Sequence, residues 1–257
     1  MNKMFSKKAV LFIDILGFRK IVQNCQENPS NIQNIYEVLT IIKTHFSNFT
    51  DIQILQFSDS IAISFKANDP GSVIAVIGGI QSLIKRLIIK GYLLRGGLTY
   101  GDIYHDSNVI FGPAMINAYD LESTLAIYPR IIIDKEIIEF GRKYLPDFFN
   151  ENMTNYIFNY VSEDNDEKYY IDYFDKGVET FWEITENEKE FIHSLKQLIE
   201  NGLKEEDKSV LRKYVWMKDK YNKMTFKLKC NKQLTIGGFE IGSTKEDSFY
   251  TTLEQID

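Results

Sequence analysis

Five consecutive apolar residues, Ala9-Val-Leu-Phe-Ile13, run directly into Asp14, and Gly17 follows three positions later. An unbroken apolar run of this length, ended by a carboxylate, reads as a buried strand. Phe18, Ile21 and Val22 then recur at helical spacing, so the chain turns straight from strand into helix. A buried strand needs partner strands and covering layers, and the rest of the chain supplies both.

Pro29-Ser-Asn31 opens a second helix, carried by Ile32, Ile35, Val38, Leu39 and Ile42. Two β-rich runs, 52–57 and 61–65, flank Ser58-Asp-Ser60, which predicts a hairpin with Asp59 at its tip. Asp69-Pro70 starts a long amphipathic helix with a stripe from Val73 to Ile88, closed by Gly91. Residues 92–104 return to strand, with Gly96, Gly97 and Gly101 allowing bulges or close approach. A helix over 111–126 and a short strand at 130–133 follow. The order β-α(α)-β-β-α-β is the ferredoxin-like arrangement, which predicts an α+β fold: an antiparallel sheet with helices packed on one face.

From Glu186 the pattern becomes helical. Phe191, Leu195, Leu198 and Ile199 form one stripe; Val210, Leu211, Tyr214, Val215, Met217 and Tyr221 form another. The expected organisation is a domain over residues 1–180 with a helical extension over 181–257, its tail after Cys230 partly mobile. Trp182 and Trp216 read as core or interface aromatics. Lys213, Lys218, Lys220 and Lys223 read as a solvated helix face rather than as phosphate contacts.

The 257 residues are 44% hydrophobic, enough for a real core. A net charge of −6 argues against a nucleic-acid partner, which needs a basic surface. It does not argue against a bound nucleotide, because divalent cations can hold a triphosphate without a basic groove. Cys25 and Cys230 are too far apart, and His45, His105 and His193 too scattered, to suggest a disulfide framework or a zinc site. The apolar run after the short basic N-terminus is too brief for a signal peptide. The nearest approach to a membrane span, residues 72–89, is interrupted by Gln81, Ser82, Lys85 and Arg86. A cytoplasmic protein with no membrane partner is the expectation.

Asp14 and Asp59 carry the chemistry. In a ferredoxin-like sheet the first and third strands are antiparallel neighbours, so the end of one adjoins the start of the other. Taken singly, Asp14 reads as a helix cap and Asp59 as a turn residue. Placed together, the two carboxylates repel unless they share cations. Magnesium or manganese suits such oxygen ligands combined with substrate phosphates, and two ions can clamp the attacking and leaving oxygens of an in-line displacement. Beside them, Leu16-Gly-Phe18 would present backbone N–H groups to a triphosphate at a helix N-terminus.

Several segments resemble class III nucleotidyl cyclases, in order over about residues 8–135. Phe12-Ile-Asp-Ile-Leu-Gly-Phe18 resembles the metal-binding strand and turn, and Phe57-Ser-Asp-Ser-Ile-Ala62 the second metal-binding hairpin. Leu94-Arg-Gly-Gly-Leu-Thr-Tyr-Gly101 is similar to the strand after the core helix, and Phe111-Gly-Pro-Ala-Met-Ile-Asn-Ala-Tyr-Asp-Leu-Glu122 to the helix with the transition-state residues. The resemblance implies a class III cyclase core holding two divalent cations, Mn2+ or Mg2+, at Asp14, Ile15 and Asp59. It also implies a homodimer with composite active sites.

The departures from the family bear on the substrate. Leu55 and Val109 stand at the base-pocket positions where purine cyclases carry a lysine and an aspartate, so the usual purine-reading hydrogen bonds are lost. Ile116 and Asp120 occupy the places of the catalytic asparagine and arginine. Asn117 is one residue late: either the helix is re-registered and Asn117 serves, or the pair is dispensed with. Arg95-Gly-Gly, Ala118-Tyr-Asp-Leu-Glu122, Tyr128-Pro-Arg-Ile-Ile132 and Lys213-Tyr-Val-Trp-Met-Lys-Asp-Lys-Tyr-Asn222 resemble the pyrimidine cyclases of bacterial Pycsar antiphage systems. That branch implies a cyclic UMP or cyclic CMP signal, UTP ahead of CTP as substrate, and a separate effector activated by the product. The competing expectations are a non-catalytic, cyclase-like nucleotide-binding module and a purine cyclase.

Overall fold

The computed structural model describes residues 4–49, 51–143, 156–176, 186–230, 234–236, 239–241, 249 and 252–257. Its elements run β1 (Ser6–Ile15), α1 (Phe18–Glu27), α2 (Ser30–His45), β2 (Gln53–Phe57), β3 (Ser60–Phe65), α3 (Pro70–Ile89), β4 (Leu94–His105), β5 (Ile110–Phe111) and α4 (Pro113–Asp120). They continue with β6 (Ile131–Ile133), α5 (Lys135–Gly141), β7 (Val161–Glu163), β8 (Tyr169–Ile171), α6 (Glu186–Gly202), α7 (Lys208–Cys230), β9 (Leu234–Ile236) and β10 (Phe239–Ile241). The fold is α+β. The strand order β2-β3-β1-β4 is the ferredoxin-like one, extended through β6 and β8 to β7, with β5 pairing β4. One correction applies to the expected antiparallel sheet: β4 and β6 pair in parallel, because α4 carries the chain back before β6 begins.

Strand alternation divides the sheet into two faces. Leu11, Ile13 and Ile15 of β1, Ile61, Ile63 and Phe65 of β3, and Leu98 of β4 belong to the main core with α2, α3 and α6. The residues between them, Val10 and Phe12 with Ala62, face the other way and form a small second cluster with Ile103, Ala114 and Ala118. So α4 covers the face opposite the other core helices, against the expected packing of all helices on one face. α3 starts where Asp69 accepts from the Ser72 backbone N–H at 2.9 Å, with proline in its first turn. It is long and apolar enough to cross a membrane, contrary to the count from sequence, but ten of its residues, Val73 to Ile88, are buried as the central core helix. Its buried Gln81 donates to the Asp172 carbonyl at 2.7 Å.

Gly97 sets how closely α4 approaches the sheet. A Cβ there would lie 2.4 Å from the Ala118 carbonyl oxygen and 2.6 Å from Leu121 Cβ. Gly97→Ala is expected to cost about 1–3 kcal/mol by forcing α4 away, read as a lower urea midpoint. At Gly101 the same methyl would meet Ala114 Cβ at 3.5 Å, ordinary contact, so Gly101→Ala is the near-neutral control. The helix expected over 111–126 ends at Asp120 as α-helix and passes into a π turn at Leu121–Leu125.

Both C-terminal helices pack on the core: Phe191, Leu195 and Ile199 of α6 and Met217, Tyr221 and Met224 of α7 are buried. Val215, expected in the second stripe, is exposed instead. Of the tail after Cys230, expected to be partly mobile, residues 252–257 are held against α7, and most of the rest lies outside the described residues. Leu253 and Ile256 are buried, and Asn222 bonds the backbone of Ile256 through both its carbonyl (2.8 Å) and its amide (2.9 Å). Trp182 and the expected boundary at residue 180 lie outside the described residues.

Candidate active site

Asp14 pairs with Ser60 across β1 and β3, so Asp59, in the two-residue turn between β2 and β3, falls beside it. The turn is made by Ser58 with φ 59°. On the opposite side of β1, Asp14 pairs with Arg95 of β4, whose side chain shares the Asp14 face. Arg95 Nε donates to Asp14 Oδ2 at 3.2 Å and lies 2.8 Å from Glu122 Oε1, an ion-pair contact off the angle of a hydrogen bond. Glu122 sits in the π turn and is 4% exposed.

Burial raises the Asp14 carboxyl above its ordinary range, Arg95 opposes this, and the charge and hydrogen bonding of Asp59 add to it. Glu122 is raised by burial too, against the pull of Arg95 and with the charges of Asp14 and Asp59 behind it. Asp14 and Glu122 thus share the Arg95 guanidinium and Asp59 adds a third carboxylate beside Asp14, an arrangement that favours a bound cation.

Among the described residues, no group of three or more His, Cys, Asp or Glu side chains is arranged to hold a metal ion. Magnesium and manganese do not need one: one or two carboxylates completed by substrate phosphates and water suffice. The adjoining carboxylates of Asp14 and Asp59 fit that donor set, and Ile15 has only its backbone oxygen to add. Next to the pair, Gly17 takes φ 75° to turn the chain into α1. Of the three predicted phosphate-facing amides, that of Leu16 is already used, donating to the Leu93 carbonyl at 2.9 Å. Gly17 and Phe18 remain at the helix N-terminus.

The other predicted residues are spread out. Leu55 pairs with Ala62, which pairs with Phe12, so it lies on the Asp14 face two strands away. Val109 is at the far end of β4, in a turn where Asp106 Oδ1 accepts from its N–H at 3.0 Å. Arg95 and His105 are ten residues apart on β4, which at strand rise is roughly 33 Å. Within one chain, therefore, Val109 is not brought to Asp14. Asn117 is exposed on α4 beside exposed Ile116 and Tyr119. His45 and His105 hold hydrogen bonds to the Gly79 carbonyl and the Ser64 hydroxyl, away from the site.

Arg95 and Glu122 were not assigned from sequence. The signal available was an arginine just before two glycines and an acidic residue just beyond the helix. A second polar cluster was also missed. Buried Arg130 donates to Asp164 Oδ2 at 2.5 Å and to Asp166 Oδ1 at 3.1 Å. Trp216 Nε1 and Lys220 Nζ of α7 each donate to Asp164 at 2.8 Å. Tyr128 stacks on Trp216 at 5.2 Å with the rings 7° from parallel. Lys220, read as a solvated lysine, is thus mostly buried and paired, and Trp216 is a core aromatic.

A cleft of ≈ 540 Å³ lies elsewhere, between β7–β8 and the second half of α7. Its lysines are already paired: Lys220 with Asp164, Lys223 with Asp219 and Lys227 with Asp175. The carboxylate cluster, not this cleft, is the candidate site, because among the described residues its carboxylates outnumber the cations paired with them.

No family model matches the chain, and no curated protein matches it. Solved structures do. The adenylyl cyclase CyaB from P. aeruginosa is 16% identical over 55% of this chain and 82% of its own, with a TM-score of 0.47. An adenylate/guanylate cyclase/hydrolase from Silicibacter pomeroyi is 16% identical over 65% and 95%, TM-score 0.42. A bacterial light-regulated adenylyl cyclase is 14% identical over 68% and 56%, TM-score 0.47. Likeness at this level assigns no activity.

Proposed function

We propose that this protein is a two-metal nucleotidyl cyclase that converts a pyrimidine nucleoside triphosphate, UTP ahead of CTP, to its 3′,5′-cyclic monophosphate and pyrophosphate. The observation that carries the proposal is the convergence of Asp14 and Asp59 at adjoining strand ends, beside the open first turn of α1. Asp14, Asp59 and the Ile15 carbonyl would hold Mn2+ or Mg2+, which when bound supply charge neutralisation at the phosphates and acidify the attacking hydroxyl. Arg95 and Glu122 fix the Asp14 carboxylate in place. The Gly17 and Phe18 amides receive phosphate oxygens. Leu55 and Val109 offer an apolar base pocket without the polar partners that select a purine.

The same reading makes the enzyme a homodimer with composite sites. Val109 and Asp14 lie at opposite ends of the sheet, and the face between them carries exposed Phe5, Phe111, Ile116 and Tyr119. A second copy packed head to tail would bring its Val109 and α4, with Asn117, to the first copy's carboxylates. Mixing Asp14→Ala protein with protein altered at Val109 or Asn117 is expected to restore up to about a quarter of wild-type activity, since random pairing gives half heterodimers with one intact site each. Mixtures no more active than their parts would remove the composite arrangement.

As in the Pycsar branch, the product would act as a signal in antiphage defence through a separate effector protein. The deciding experiment incubates purified protein with each of the four ribonucleoside triphosphates and Mn2+ or Mg2+, then identifies the cyclic product. Cyclic UMP or cyclic CMP is expected. A main product of cyclic AMP or cyclic GMP would defeat the pyrimidine assignment, and no product with either metal would leave a non-catalytic nucleotide-binding module.

A further inference from the structure

Lys213, Trp216 and Lys220 recur at spacings of three and four and share one face of α7. Two of them are fixed in place by Asp164, which also holds Arg130. The Arg130 carbonyl accepts from the Gly96 N–H at 3.1 Å, and Gly96 pairs with Ile131, so Arg95 and Arg130 precede that pair on neighbouring strands. One turn before Trp216, Lys213 lies on the same helix face, within electrostatic range of Arg95 and Asp14. The start of α7 is held independently. Asp207 accepts from the Ser209 N–H at 2.7 Å, and Glu205 pairs with Lys20 of α1 at 3.0 Å, tying this segment to the helix that begins at Gly17.

The electrostatics agree with this placement. Burial, then the charges of Arg95 and Arg212, push the Lys213 amine below its ordinary range, while Asp207 and Asp14 pull it back. Among the described residues no carboxylate lies within ion-pair distance of Lys213. A partly buried ammonium beside another cation is an unfavourable arrangement until an anion enters between them.

We infer that Lys213 is a phosphate-binding residue of the Asp14 site, gripping the terminal phosphates of the triphosphate from the same chain that supplies both carboxylates. This rests on the cyclase reading. In that reaction the 3′-oxygen bonds to the α-phosphorus, the α–β phosphoanhydride bond breaks, and pyrophosphate leaves with the electron pair while the hydroxyl proton passes to water. Lys213 would hold the charge that the leaving pyrophosphate gains, and α7 would be part of the active site rather than an appendage.

The test is calorimetric titration of the full chain with inorganic pyrophosphate in Mn2+ buffer. Lys213→Ala is expected to weaken binding by roughly ten- to a hundredfold, the loss of a charge-assisted contact. Lys213→Arg should recover most of it. Lys223→Ala removes the same charge from a lysine already paired with Asp219 and should change nothing. Lys213→Met serves if the alanine variant melts early. Folded Lys213 variants that bind pyrophosphate like wild type, or wild type that does not bind it, would overturn the assignment. A wild type that cyclises no triphosphate yet loses pyrophosphate with Lys213 would instead sink the cyclase reading and leave the phosphate site standing.

Discussion

Asp14→Ala and Asp59→Ala are each expected to abolish cyclisation, a loss of at least about a thousandfold, while leaving a folded protein. Removing one carboxylate removes part of the ligand set whose ions stabilise the reacting oxygens, and several kcal/mol of barrier correspond to that factor. Stability should behave differently. Asp59→Ala relieves a repulsion, since the Asp59 charge is one of the causes that raise Asp14. Asp14→Ala frees Arg95 from one partner but leaves Glu122 at 2.8 Å. Melting temperatures should therefore stay near wild type, and the isosteric Asp14→Asn and Asp59→Asn should reproduce the activity loss. Product analysis alongside thermal melting checks both halves. A folded variant that keeps a tenth of wild-type turnover would remove the metal assignment.

The parts of this site that could be read from sequence are those fixed by local pattern. An unbroken apolar run ended by Asp14, and alternation after Asp59, specify two strands, and the ferredoxin-like order then makes their ends adjoin. Arg95 and Glu122 are a different case. They meet because α4 folds back along β4 over Gly97 and then loosens into a π turn, and no periodicity announces one extra residue in a helical turn. The α7 face was misjudged for a related reason. A stripe drawn on apolarity turns Val215 inward and leaves Lys220 in water. The structure does the reverse, because buried Asp164 makes Trp216 and Lys220 the better inward pair. Asp164 lies in a loop 52 residues before Trp216 and 56 before Lys220, and single-sequence spacing does not report such a partner.

That loop aspartate underlies the second large effect. Asp164→Ala is expected to destabilise the protein by about 3–5 kcal/mol, the usual result of removing one partner from a buried charged cluster. Arg130 is fully buried and Asp164 is 4% exposed. Without Asp164, Lys220 and the Trp216 N–H lose their shared acceptor, and Arg130 keeps only Asp166. For a chain of this size the melting temperature should fall by roughly 10 °C. Asp166→Ala, at a carboxylate 46% exposed and screened by water, should cost under about 1 kcal/mol. The pH dependence has a definite sign. Burial raises Asp164, but its bonds from Lys220, the Asn165 N–H and Trp216 outweigh that and hold it below the ordinary carboxylate range. A group depressed on folding contributes stability above its unfolded pKa and loses it as pH falls through the folded value. The gap in urea midpoint between wild type and Asp164→Ala should thus be steady from pH 5 to 8 and narrow below about pH 4. A gap that is small at neutral pH, or that widens in acid, would show that α7 is not held to the core through Asp164.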